Sequence, residues 1–117
     1  MEDMTGSTDS VYIFQPGSKD DLTRHVKIGP MVYAVVEEKG LVDGDKSRKL
    51  DGHIRYNDCQ IAVEAGMSPQ AKRQTIWHEI VHGILTQAGY TKQGETMVDA
   101  LAYGIMGVLQ DNPWLKE

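Results

Sequence analysis

The stretch QTIWHEIVHGILTQAGY, residues 74–90, decides the fold because it carries the clearest periodicity in the chain. Its isoleucines recur at every fourth position, and a second line of apolar residues runs beside them, as on a buried helix. The histidines at 78 and 82 then lie about one turn apart on nearly the same face. The sequence therefore predicts a helix that presents two imidazoles side by side.

Both ends of this helix are marked in the sequence. Ser68 offers a side-chain oxygen that can cap free amides, and Pro69 is already fixed at a helical φ. Helical spacing continues from Gln70 to Ala88, and Gly89 is a suitable C-terminal stop. We expect the first helix to fill that interval.

A second helix is predicted from about residue 95 to 110, where apolar residues again recur at helical spacing. Asn112-Pro113 ends it. Gly104 and Gly107 lie inside it, and each costs about 1 kcal/mol relative to alanine in a helix. We expect a close approach to a neighbouring element, first of all the first helix, to compensate for that cost.

Three segments precede the helices. HVKIGPMVYAVVEE (25–38) is rich in β-branched and aromatic residues and bends at its Gly-Pro step. KGLVDGDKSRKLDG (39–52) has the glycines and aspartates of a loop, and HIRYNDCQIAVEAG (53–66) predicts a hairpin that turns at its Asn-Asp pair. The order of strands, helix and helix indicates an α+β fold, with a small antiparallel sheet of about three strands packed on two helices.

Length, charge and composition limit the classes of protein to which this chain can belong. With 117 residues the chain is one domain, and its formal net charge of −5 disfavours a nucleic-acid partner. No run approaches the roughly 18 to 20 apolar residues of a membrane span. The acidic, polar start lacks the features of a signal peptide, and the single cysteine, Cys59, cannot form an internal disulfide, so we expect a cytoplasmic protein.

Residues 1–22 are expected to be a tail, either disordered or adding an edge strand, and residues 23–117 to be the domain.

The pentapeptide HEIVH has the donor types and the spacing of a metal site. Two imidazole nitrogens one helical turn apart can both reach one tetrahedral zinc ion at about 2.0 to 2.1 Å. Glu79, next to His78, is too close in sequence to join them comfortably, but it can take the proton of a metal-held water as that water attacks a carbonyl. The alternative is a solvated pair of histidines in a motif that arose by coincidence.

The start of the second helix, ETMVDALA (95–102), supplies the carboxylates that such a site also needs. Glu95 and Asp99 are four residues apart, so Glu95 can be the third ligand while Asp99 accepts the free N–H of a ligating histidine. The reverse choice, with Asp99 as the ligand, stays open. A further alternative is that Glu95 only interacts with the helix dipole in the first turn and that Asp99 is an unrelated surface residue. Tyr103, two turns on, is a candidate oxyanion stabiliser, with packing as the alternative.

HEIVH followed by Glu95-x-x-x-Asp99 resembles the gluzincin arrangement of zinc metallopeptidases. Within that group, ETMVDALA resembles the E-x-x-A-N/D-x-F-A element of the ImmA/IrrE-like metallopeptidases of phages and mobile elements, and the resemblance spans roughly residues 50–110. It implies zinc held by both histidines and Glu95, Glu79 as general base, and Asp99 behind the ligands. It also implies a minimal zincin-like domain over residues 23–117 that acts on a protein or peptide, in the host cytoplasm if a phage encodes it.

Three functions are therefore compatible with the sequence. The first is a zinc-dependent peptidase, the second a non-catalytic interaction module stabilised by zinc, such as a phage accessory protein, and the third a metal-free adaptor. For the peptidase, CQIAVEAG (59–66) is the candidate sheet edge onto which an extended peptide adds, with a plain structural strand as the alternative. The identity of the substrate and the oligomeric state do not follow from the sequence.

Overall fold

A computed structural model of the chain describes residues 24–44 and 48–116. Within these two ranges, four strands precede two helices and a final 3-10 turn: β1 (Arg24–Ile28), β2 (Met31–Glu38), β3 (Gly52–Arg55), β4 (Gln60–Glu64), α1 (Pro69–Gln87), α2 (Glu95–Asp111) and the turn Pro113–Lys116. The predicted α+β class is confirmed. The tail predicted over residues 1–22 lies outside the described residues.

The sheet is mixed, with strand order β1-β2-β4-β3. β1 pairs with β2, and β3 with β4, in antiparallel hairpins, whereas β2 and β4 pair in parallel at the centre. The sequence predicted about three strands, all antiparallel. The described sheet instead has four strands, and its two central strands are parallel. The Gly-Pro step splits the first segment into two strands, because Gly29 takes a positive φ of 56° and allows a tight turn there.

The predicted hairpin over residues 53–66 is present, but its second strand is not the sheet edge. β4 lies between β2 and β3, and Ile61, Ala62 and Val63 are buried in succession. A strand covered on both faces reads as a continuous apolar run, which is what these residues form. The expectation that CQIAVEAG is the peptide-accepting edge is therefore wrong, and the outer strand of this hairpin is β3.

The limits of α1 agree with the sequence prediction. The hydroxyl of Ser68 accepts a hydrogen bond from the backbone N–H of Ala71 at 3.1 Å, which caps the N-terminus. At the other end Gly89 has a φ of 96°, and the backbone N–H groups of Gly89 and Tyr90 donate to carbonyls of the last turn at 3.0 and 2.9 Å. This pair of bonds is a Schellman motif, which turns the chain sharply towards α2.

The helix α1 lies between the sheet and α2, which fixes the position of its histidine face. Its sheet-facing side packs on a cluster formed by Ile28, Tyr33, Ile54 and Ile61, and its other side contributes Val81 to a second cluster with Val98 and Ala102 of α2. Within the described ranges, no helix has both the length and the apolar character needed to cross a bilayer.

The glycines of the second helix do not play the predicted role. A Cβ atom at Gly104 or Gly107 would have no neighbour within 4 Å, so neither glycine allows a close approach. The tight contact is instead at Gly83 of α1, where a Cβ atom would lie 2.8 Å from Cδ1 of Ile28. α2 packs on α1 through the larger side chains of Val98 and Ala102, and the two glycines lie away from these contacts.

Candidate metal centre

The three predicted ligands meet between α1 and the start of α2. Nε2 of His78 lies 2.8 Å from Oε1 of Glu95, and Nε2 of His82 lies 3.3 Å from the same oxygen. One donor atom from each of the three side chains lies within 4.8 Å of the others. Two ligands of a tetrahedral zinc ion are separated by about 3.3 Å, so the donor types and their spacing both fit such an ion.

The other nitrogen of each imidazole is held by an acceptor on the far side of the ring. Nδ1 of His78 lies 2.6 Å from Oδ1 of Asp99, and Nδ1 of His82 lies 2.7 Å from Oε1 of Gln93. Asp99 thus sits behind a histidine, in the location predicted for it. The carboxylate at the point where the two Nε2 atoms converge is that of Glu95.

Glu79 is buried, with only 6% of its surface exposed. Desolvation raises the pKa of its carboxyl group, although the two histidines and a hydrogen bond from the backbone N–H of Ile54 oppose the rise. A carboxylate with a raised pKa is a stronger base, which suits a proton acceptor. The Ile54 contact also ties Glu79 to strand β3.

His78 is surrounded by negative charge. Burial alone would lower its pKa, but the hydrogen bond to Asp99, the charges of Glu79 and Asp99, and the bond to Glu95 together outweigh burial and raise the pKa. The negatively charged groups therefore stabilise the positive charge of the protonated ring more than burial opposes it. A cation of higher charge bound at Nε2 would meet the same favourable field.

A cleft of about 660 Å³ opens beside the histidines. One wall is the segment Arg48–Ile54, which leads into and includes most of β3. The other wall is the ligand face, the surface of α1 and α2 that carries His78, His82 and Glu95. Tyr103 also lines this cleft with 62% of its surface exposed, so it is not a core residue. The volume is within the range of about 300 to 1,000 Å³ that is typical of small-molecule sites.

Three participants were not predicted from the sequence. Gln93 contacts His82, Gln74 donates a hydrogen bond from Nε2 to Oδ1 of Asp99 at 3.2 Å, and Gly52 lies against Glu79. A Cβ atom at Gly52 would lie 3.3 Å from Oε2 of Glu79 and would collide with the side chain of Thr75. Gln74 precedes His78 by one turn, so helical spacing alone could have suggested it. Gln93 and Gly52 have no such signal.

No protein-family model, curated protein or solved structure matches this chain. The likeness to gluzincin metallopeptidases therefore stays a hypothesis carried by the HExxH and ExxxD positions. In the centre itself, two imidazoles and a carboxylate converge on one point, and a buried glutamate lies beside them.

Proposed function

We propose that the protein is a small zinc-dependent peptidase in which Glu79 is the general base. The observation that supports this function most directly is the approach of both histidine Nε2 atoms to Oε1 of Glu95, at 2.8 and 3.3 Å. Two histidines and one glutamate are a donor set of catalytic zinc sites, which keep a fourth position open for water or substrate.

In this proposal each side chain has a separate task. Bound to the two histidines and Glu95, zinc would supply Lewis acidity, lowering the pKa of a water molecule and polarising a carbonyl group. Glu79 accepts the proton of the attacking water and passes it to the leaving amine. Asp99 holds the Nδ1–H of His78, so that Nε2 keeps its lone pair for the metal. Tyr103, on the cleft wall, is the candidate donor to the developing oxyanion.

The substrate we propose is an extended segment of a protein or peptide. β3 pairs with β4 on one side only among the described strands, and residues of β3 line the cleft. An extended chain could add to that free edge and place a scissile carbonyl near Glu79. Gly52 would keep this path open, because a larger residue there would press on Thr75 and Glu79.

The net charge of −5 argues against nucleic acid as a partner. We propose a cytoplasmic location, that of the host if a phage encodes the protein, on the strength of the resemblance to phage-type metallopeptidases.

A zinc-stabilised interaction module is the second candidate, and one observation favours it. The ligands come from both helices, whereas among the described residues the fully buried cluster between these helices has three members, Val81, Val98 and Ala102, with partly buried side chains packed against them. A metal that joined two helices with so small a shared core would stabilise the fold without any turnover. Glu79 distinguishes the two candidates, since only the peptidase needs its carboxylate.

The test is to measure bound zinc and peptide hydrolysis on the same preparations. We expect about one zinc per chain in the wild type, loss of zinc in the His78→Ala/His82→Ala double variant, and hydrolysis of an unstructured protein or peptide library by the wild type alone. A zinc content unchanged in the double variant would refute the metal centre. Zinc binding without cleavage of any library member would favour the module.

A further inference from the structure

The loop between α1 and α2 contains a side chain whose polar atoms are all engaged. Gln93 is half-buried, and its Oε1 lies 2.7 Å from Nδ1 of His82. Its Nε2 donates to the backbone carbonyl of Tyr90 at 2.5 Å and to Oγ1 of Thr86 at 3.0 Å. A primary amide has two N–H donors and one oxygen acceptor, so this side chain is satisfied.

These contacts determine the protonation pattern of His82. A backbone carbonyl only accepts hydrogen bonds, so the atom of Gln93 that faces Tyr90 must be the nitrogen. The amide oxygen therefore faces the imidazole, and because that oxygen also only accepts, Nδ1 of His82 must carry the hydrogen. In the neutral ring Nε2 is then the atom with the lone pair, and it is Nε2 that faces Glu95.

The surrounding backbone holds Gln93 in this orientation. The positive φ of Gly89 ends α1 and turns the chain, which brings the Tyr90 carbonyl within reach of the amide. Thr86, on the last turn of α1, is also within 2.9 Å of the hydroxyl of Tyr56, a residue of the cleft wall. A continuous set of hydrogen bonds thus leads from the cleft wall to His82.

We propose that Gln93 is a positioning residue of the metal centre: it holds His82 as the Nδ1–H tautomer and keeps Nε2 available to the ion. This inference rests on the proposed function in so far as His82 is a ligand. Without Gln93, the ring can place its hydrogen on Nε2 and donate it to Glu95, which blocks both ligands at once. His78 has a charged partner in Asp99, whereas His82 has a neutral one, so Gln93 orients the ring without adding charge.

The experiment compares zinc affinity by chelator competition in the full chain and three variants. Gln93→Met keeps the length of the side chain but has no acceptor, and loss of such a partner is expected to weaken zinc binding by about 10- to 100-fold. Gln93→Glu keeps an acceptor for His82 and should bind zinc more tightly than Gln93→Met. Thr91→Val, at an exposed position of the same loop, is the control and should bind as the wild type does.

A second readout follows the hydrogen itself. In zinc-loaded protein with ring-¹⁵N-labelled histidine, we expect the Nδ1–H proton of His82 to be protected from exchange in the wild type and to exchange faster in Gln93→Met. If Gln93→Met folds poorly, Thr86→Val can replace it. This substitution at an exposed position removes the hydroxyl to which the Gln93 amide donates a hydrogen bond, and we expect a smaller loss of zinc affinity.

The outcomes separate this inference from the proposed function. Wild-type affinity together with an equally protected Nδ1–H in Gln93→Met would overturn the role of Gln93 and leave the peptidase untouched. Weakened zinc binding in Gln93→Met, with no hydrolysis by the wild type, would support the role of Gln93 and favour the interaction module over the peptidase. A wild type that binds no zinc would overturn both.

Discussion

Nδ1 of His78 lies 2.6 Å from Oδ1 of Asp99, a residue 21 positions later that lies one turn into the next helix. This contact joins the two helices at the ligand face and leaves Nε2 of His78 directed at Glu95. A carboxylate behind a ligating histidine orients the ring and raises its basicity. The HExxH motif and the ExxxD motif are therefore coupled by a direct hydrogen bond.

Replacing Asp99 by Asn should weaken zinc binding by about 10- to 100-fold, because the ring of His78 loses its charged partner. Chelator competition measures the affinity, and circular dichroism checks that the variant is folded. Asp111→Asn, at the far end of the same helix, removes the same charge and should leave the affinity unchanged. Equal affinities for the two variants would show that Asp99 is an ordinary surface aspartate.

Glu79→Gln should abolish hydrolysis while zinc stays bound. A general base contributes about 10² to 10⁴ in rate, so the turnover of the variant should fall by at least about 100-fold. The amide is also cheaper to bury than the carboxylate, so the melting temperature should not fall. Glu37→Gln, at an exposed position of β2, is the control for charge. Residual turnover close to that of the wild type would exclude Glu79 as the base.

The raised pKa of His78 predicts how the stability of the chelator-treated protein depends on pH. Its folded pKa lies above the unfolded value of 6.5, so its contribution is complete below pH 6.5 and is lost as the pH rises through the folded pKa. His25, whose pKa is lowered by burial, acts in the opposite sense. The quantity to measure by urea denaturation is therefore the difference between wild type and His78→Gln.

That difference should shrink as the pH rises above 6.5. With zinc present, the stability difference should instead grow as the pH rises, because the ion competes with protons for the imidazoles and stabilises the protein more at higher pH. A difference that grows with pH in the presence of chelator would contradict the charge environment assigned to His78.

Two glycines should respond in different ways to alanine. Gly104→Ala should raise the free energy of unfolding by about 1 kcal/mol, since the helix gains propensity and the new methyl group has open space. Gly83→Ala should raise the free energy of unfolding by less than this, or lower it, because the new Cβ would push against the buried side chains of Ile28 and Ile54. Equal gains in chemical denaturation would mean that α1 does not approach the sheet as closely as described.

The helices could be predicted because their signals are local. Ser68-Pro69 starts α1 and Gly89 ends it, and the periodicity between them needs no knowledge of the rest of the chain. The meeting of Glu95 with the histidines could also be anticipated, since a short loop returns the chain to the ligand face. Helical spacing, capping and loop length are enough for these features.

The sheet and the detailed contacts depend on partners distant in sequence. β4 pairs with β2 across a long loop, so a run that looks like half of a simple hairpin becomes the buried centre of the sheet. Gly104 looked like a contact point because glycine in a helix is costly, but sequence alone does not tell which helix face meets a neighbour. Gln93 lies in an irregular loop, where no periodicity indicates the direction of a side chain.

The central claim is that His78, His82 and Glu95 hold one zinc ion. Anomalous diffraction at the zinc edge, from crystals of the zinc-loaded protein, tests it most directly. The account predicts a single strong peak about 2.0 to 2.2 Å from Nε2 of each histidine and from a carboxylate oxygen of Glu95, with Nδ1 of both rings turned away. A peak elsewhere on the protein, or none between these three side chains, would contradict it.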